Sequence, residues 1–121
     1  MSRITPKILP KIEIPRLPLL AIGLILATAT LAHADDKISL LLKDHKFQPD
    51  RIEANAGVKI EITVKNEDSG ADEFDSRDLK REKVIGGGKE GIILVGPLQP
   101  GEYHFQGEYH AQTAQGVLVV K

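Results

Sequence analysis

Residues 101–121 read GEYHFQGEYHAQTAQGVLVVK, and this stretch decides the fold. Tyr103 and Phe105 share one face of an extended segment, because side chains alternate across a strand, and His104 then faces solvent. Gly107 lets the chain turn into a short polar loop that carries His110, and Gly116 opens a return strand, Val117–Val120, rich in β-branched residues. The pattern Gly-Glu-Tyr-His-x-Gln stands at 101–106 and again at 107–112, too short a unit for a repeat architecture. His104 and His110 cannot grip one ion on an extended chain. Six residues at ~3.3 Å separate them by about 20 Å, against metal–nitrogen bonds of about 2 Å. His110, beyond the turn at Gly107, is the better candidate.

Working towards the N-terminus, Pro97-Leu98-Gln99-Pro100-Gly101 is a turn, and Gly91–Val95 is a strand. Gly86-Gly87-Gly88 breaks the chain before it. Residues 73–85 are the least legible part: Phe74, Leu79, Val84 and Ile85 fit neither the strand nor the helix period, and the charges between them tolerate a helical turn. Val58–Lys65 alternates cleanly, with Ile60, Ile62 and Val64 inward, and runs into a polar loop at 66–72. Asn55-Ala56-Gly57 is a turn, Arg51–Ala54 a short strand, and Phe47 sits in a bend between Asp44-His45-Lys46 and Gln48-Pro49-Asp50. Ile38, Leu40 and Leu42 mark a first strand. With no long amphipathic helix to cover it, the apolar face of one sheet is buried only against another. The expected fold is all-β, a small antiparallel sandwich.

The first residues obey other rules. Arg3, Lys7, Lys11 and Arg16 form a basic region with Glu13 as the one discordant charge, Leu17–Leu31 is an apolar run, and Ala32-His33-Ala34 is a small-x-small cleavage site. The run is shorter than the ~20 apolar residues that span a bilayer. Residues 1–34 are expected to be a cleavable signal peptide, leaving one domain at 35–121, exported to the periplasm and not inserted in the membrane. The chain carries 16 basic and 17 acidic side chains, and loss of the leader makes the balance more acidic, which argues against nucleic acid as a partner.

The sequence has no cysteine, and its single methionine is Met1. Disulfides, thiolate nucleophiles, cysteine zinc sites and thiolate-bound copper are excluded together. Any metal must be held by nitrogen and oxygen. Hydrolase chemistry has no support either: Gly86-Gly87-Gly88-Lys89 lacks the spacing and the Ser/Thr of a phosphate loop.

Blue-copper domains end as this chain does, with a Cys at the strand end, a His three residues on and often a Met before the closing Gly. Here Gly107 and Ala114 stand where Cys and Met would be, and His110 stands where the His would be. The motifs Asp44-His45-Lys46-Phe47-Gln48-Pro49, Asp72-Glu73-Phe74-Asp75-Ser76, Arg81-Glu82-Lys83, and Gly107-Glu108-Tyr109-His110 with Thr113-Ala114-Gln115-Gly116 resemble the cupredoxin-like domains of the EfeO type. The resemblance covers nearly all of 38–121. It implies a cupredoxin-like Greek-key β-sandwich with a loop-built metal end. It also implies work beside an inner-membrane iron permease and companion periplasmic proteins of ferrous-iron uptake, where copper helps oxidise Fe(II). On this likeness the first ligand falls at Glu73. The implied set is a carboxylate–imidazole one for a copper or iron ion: His110 and Glu73 first, His45 and Glu108 next, with Asp72 and Asp75 as further oxygens. Such donors suit Cu(II), Fe, Zn or Mn, and divalent affinity peaks at copper.

Plainer readings stand beside these. A loop histidine is ordinarily a surface side chain, His45 can serve only to cap a turn, and the cluster Asp68, Asp72, Glu73, Asp75, Asp78 can be a solvated face. The alternative function is a metal-free sandwich that binds a permease or another periplasmic subunit. On the metal-binding reading a carrier or electron-relay role is favoured over an enzymatic one.

Overall fold

The computed structural model describes residues 35–121, with Glu13 and Pro15 alone before them, so the leader expected at 1–34 otherwise lies outside the described residues. Among the described residues no helix is long and apolar enough to cross a membrane. The strands are β1 (Asp36–Lys43), β2 (Lys46–Gln48), β3 (Arg51–Ala54), β4 (Ile60–Asn66), β5 (Asp72–Ser76), β6 (Arg81–Ile85), β7 (Glu90–Val95), β8 (Gly101–Gly107) and β9 (Gln115–Val120), with a 3-10 turn at Glu108–His110. They form two sheets, ordered β2-β1-β4-β7 and β3-β9-β8-β5-β6.

The core lies where the inward residues of the two sheets meet. Leu40, Leu42, Ile60, Ile62, Val64, Ile93 and Val95 come from one sheet, and Ile52, Phe74, Phe105, Leu118 and Val120 from the other. Phe74 and Phe105 stack at 5.1 Å between ring centroids, and Phe47 meets Phe105 edge-on, also at 5.1 Å. Burying such a side chain stabilises the fold by ~1.5–3 kcal/mol, so this aromatic trio pins the sheets together next to the loop end. The hairpin β8–β9 pairs Gly101 with Val120 through Gln106 with Gln115, as the terminal stretch predicts. Phe105 is buried, Tyr103 packs against the core and His104 is exposed.

Three expectations need correction. The sandwich is mixed, since β1 runs parallel to β4 and β3 parallel to β9. After β2 hairpins back along β1, β3 crosses to the other sheet, and β1 is left beside a strand of its own direction. Second, residues 46–48 are a strand paired with β1, with Phe47 buried between its exposed neighbours. Third, residues 72–85 form a hairpin, β5–β6. Its period is hard to see because β5 buries the polar Asp72 and Ser76 beside Phe74, and β6 is an edge strand with only Ile85 buried.

One end of the sandwich gathers four connections. Asn66 N–H donates to Lys89 O (2.9 Å), Glu67 N–H to Leu42 O (2.8 Å) and Gly88 N–H to Asp68 O (3.1 Å), which ties the loops after β4 and β6 to the end of β1. Gly87 sits so close to this junction that a Cβ there would lie 2.0 Å from Ser69 O. The β8–β9 connection closes the same end through Asp72.

Candidate metal centre

His110 ends the 3-10 turn that follows β8, and its ring is set from behind by a carboxylate. Nδ1 lies 2.9 Å from Asp72 Oδ2, with the His110 side chain 30% exposed and that of Asp72 3%. Asp72 Oδ1 also accepts the N–H of Glu73 (2.8 Å) and of Tyr109 (3.1 Å). A carboxylate only accepts, so Nδ1 donates, and in the neutral imidazole the lone pair then lies on Nε2. This is the arrangement by which outer carboxylates orient metal-binding histidines. The loop itself is closed by Gly107 N–H to Ala114 O (2.9 Å) and Ala114 N–H to His110 O (2.8 Å).

His45 comes from the opposite sheet. The two-residue turn Asp44-His45 joins β1 to β2, and both residues adopt left-handed backbone, with φ of 52° and 56°. That conformation costs a non-glycine residue roughly 1–2 kcal/mol. Asp68 offsets it: Oδ1 accepts Asp44 N–H (2.8 Å) and Oδ2 accepts His45 N–H (3.0 Å), each charge-assisted bond contributing ~1.5 kcal/mol or more. Slight burial raises the Asp68 pKa, but these two N–H donors and the nearby His45 and His110 rings outweigh it and hold the carboxyl below the usual range. The turn lays the His45 ring on that of His110, with centroids 3.5 Å apart and planes 11° apart.

Glu73 goes elsewhere. Along β5, Asp72, Phe74 and Ser76 point inward, while Glu73 and Asp75 take the outer face. Glu73 therefore meets Glu108 rather than His110. Partial desolvation, a hydrogen bond shared with Glu108 and the charges of Glu108, Glu82 and Asp75 push its carboxyl above the usual range. The structure thus brings together two pairs at this end, His45 with His110 and Glu73 with Glu108, on opposite sides of β5. Asp72, one residue before Glu73, is the carboxylate that reaches His110. Asp68 is the member of the site that the sequence did not single out; the signal available was an Asx-type turn after the clean β4 alternation.

Comparison with known proteins accounts for this architecture. The cupredoxin-like domain family matches residues 16–120. The chain belongs to that family. An uncharacterised protein of Rickettsia prowazekii (strain Madrid E) is 38% identical over 84 residues, 69% of this chain and 67% of the relative. Among solved structures, the metal-binding domain of the Streptococcus pneumoniae D39 Cu(I)-exporting P-type ATPase CopA aligns with a TM-score of 0.63 and 21% identity, covering 74% of this chain and 88% of that one. Auracyanin A, a "blue" copper protein of Chloroflexus aurantiacus, aligns with a TM-score of 0.63 and 15% identity, covering 73% of this chain and all of the other. At these identities the likeness carries the fold alone.

A thiolate copper centre does not fit this cupredoxin-like domain. The chain has no Cys, and a Cβ built at Gly107 would lie 2.7 Å from Asp72 Oδ2 and 2.8 Å from the Ala114 Cβ. The Asp72 carboxylate occupies the room that a side chain at 107 would need. Nitrogen donors remain. Imidazole lone pairs lie in the ring planes, so two rings stacked at 3.5 Å cannot both address one ion at about 2 Å. Among the described residues no three His, Asp or Glu side chains converge as a ready-made chelate. His45 is exposed.

Proposed function

We propose that this cupredoxin-like domain is a periplasmic accessory protein of ferrous-iron uptake that holds a copper or iron ion through the imidazoles of His110 and His45. One observation carries the reading: Nδ1 of His110 is engaged by the buried Asp72 carboxylate, which leaves Nε2 as a fixed lone pair beside a second histidine. Two nitrogen donors with open remaining positions favour a site that takes up and releases its ion, a carrier or relay in preference to a catalyst. Copper(II) suits such donors best among common divalent ions. The chain's own part is to keep the proton on Nδ1, hold the ring in place and leave one side of the ion to a partner. Glu73 and Glu108 supply an acidic field that draws cations to this end. The EfeO-type motifs support an inner-membrane iron permease and companion periplasmic proteins as that partner, and the leader pattern supports export and cleavage after Ala34.

Titration of the full chain with Cu(II), Fe(II) and Zn(II), repeated for His110→Ala, His45→Ala and Glu73→Gln, tests this. One equivalent of Cu(II) bound by wild type, lost in His110→Ala and weakened about tenfold or more in His45→Ala, supports it. Retention in Glu73→Gln supports the assignment of ligands. If wild type binds none of the three ions, the metal reading fails and the interaction-module reading stands, for which the exposed Ile92 and Leu94 of β7 offer a surface.

A further inference from the structure

We propose that the outer edge of β7 is a docking site for an extended segment of a partner protein, in which apolar residues alternate with Asp or Glu and which pairs with β7 as an added strand. The proposal stands apart from the metal-holding reading.

β7 ends the sheet β2-β1-β4-β7, and among the described residues no strand pairs with its outer side. Asn66 N–H donates to Lys89 O (2.9 Å), and the register continues with Lys65 opposite Glu90, Thr63 opposite Ile92 and Glu61 opposite Leu94. Hydrogen-bonded and non-hydrogen-bonded pairs alternate along an antiparallel ladder. Ile92 and Leu94 therefore turn their N–H and C=O groups away from β4, towards the edge. Their side chains lie on the outer face of the sheet, 51% and 63% exposed. An open row of main-chain donors and acceptors beside apolar side chains is a template for another strand.

The neighbouring edge strand, β6, sets the chemistry of that strand. Arg81 and Lys83 share the inward parity of Ile85, opposite Ser76 and Phe74 of β5, yet both are exposed because β6 lies at the open side of the sandwich. They reach across to β7. Arg81 Nε donates to Leu94 O (2.9 Å), and the Lys83 Cε lies 3.3 Å from where a Cβ on Gly91 would stand. A strand laid along β7 presents one set of side chains beside Ile92 and Leu94 and the alternate set to these two cations. The first set is matched by apolar residues and the second by carboxylates. The carboxylates give Arg81 a charge-assisted partner in place of the exposed carbonyl it leaves. A strand without acidic residues leaves the cations unmatched, which guards the edge against indiscriminate pairing. A second copy of β7 is such a strand, since Gly91, Ile93 and Val95 stand on that side. Beside Arg81 and Leu94, a cleft of about 400 Å³ gives the end of the added strand room.

The test uses the full chain and two end-blocked eight-residue peptides, one alternating valine with glutamate and one alternating valine with lysine. Binding is followed by titration and by hydrogen exchange of the Ile92 and Leu94 amides. The glutamate peptide is expected to bind roughly tenfold more tightly than the lysine peptide and to protect both amides. Arg81→Glu/Lys83→Glu should reverse that preference, and Ile92→Thr/Leu94→Thr should weaken the glutamate peptide about tenfold. Methylation of every backbone nitrogen of the glutamate peptide should abolish binding. No binding of the glutamate peptide, equal binding of the two peptides, or undiminished binding of the methylated one would each overturn the proposal. Amide protection that rises with protein concentration in the absence of peptide would overturn it in favour of a second copy. Should either double variant unfold, the lysine and methylated peptides on the unaltered chain decide.

Discussion

Asp72 is the group whose removal should matter most. It is 2% exposed and accepts three hydrogen bonds, from Glu73 N–H (2.8 Å), Tyr109 N–H (3.1 Å) and His110 Nδ1 (2.9 Å). Alanine there leaves all three part-buried donors without this partner. An unsatisfied buried donor costs ~1–3 kcal/mol. Taking the low end for each gives a loss of roughly 3 kcal/mol, a large part of the ~5–15 kcal/mol that stabilises a small domain. At about 4–8 °C per kcal/mol, the midpoint of thermal unfolding should drop by roughly 12–24 °C. Asparagine separates stability from chemistry. Its oxygen still accepts the two main-chain N–H groups, so the loss falls to about 1 kcal/mol. Its amide, however, donates to Nδ1 and moves the imidazole proton to Nε2, blocking the ligand lone pair. Urea unfolding followed by circular dichroism, run beside Cu(II) titration, measures both effects. A loss below about 1 kcal/mol in Asp72→Ala would refute the three-bond account; wild-type copper affinity in Asp72→Asn would refute the tautomer.

Other perturbations follow from the same contacts. Gly107→Ala places a Cβ 2.7 Å from Asp72 Oδ2 and 2.8 Å from the Ala114 Cβ, and should destabilise by about 1–3 kcal/mol in the same urea assay. Gly107→Cys alone should give no intense visible band with Cu(II), because Asp72 occupies the thiolate's room. The Asp68 carboxyl lies below its usual range in the fold, so it stabilises above the ordinary aspartate value of ~3.9 and loses that contribution as the pH falls through the folded value. Asp68→Asn should flatten the acid limb of stability against pH. Glu73 has the opposite sign: its raised value favours the protonated form in the fold, so its effect on stability improves as the pH falls through that value. Glu73→Gln should therefore raise the urea midpoint at neutral pH.

Strand alternation made most of the sandwich legible. Ile60, Ile62 and Val64 read as inward and are fully buried, and Tyr103, His104 and Phe105 take the faces that their parity requires. The hairpin at 72–85 was hidden because β5 buries Asp72 and Ser76, polar residues satisfied by bonds that no hydrophobic pattern records: Ser76 Oγ donates to His104 O (2.6 Å). The parallel pairs were hidden for a different reason. Parity within a strand says nothing of which strand lies beside it, and β3 crosses to pair with β9, far along the chain. At the site, the ends of the loops were readable but not the face. A shift of one residue along a strand exchanges its two sides, and so Glu73 was expected where Asp72 stands. His45 and His110 were both candidates from sequence, yet their stacking depends on a turn held by Asp68, a contact spanning 23 residues.

The central question is whether two imidazoles and no sulfur hold an ion at the loop end. Electron paramagnetic resonance of the full chain with one equivalent of Cu(II) measures this most directly. The prediction is a weakly coloured centre with ordinary hyperfine splitting and two coupled nitrogens, falling to one in His45→Ala and vanishing as a bound species in His110→Ala. A spectrum of free aqueous Cu(II) from the wild-type chain, or a bound signal indifferent to His110, would contradict it.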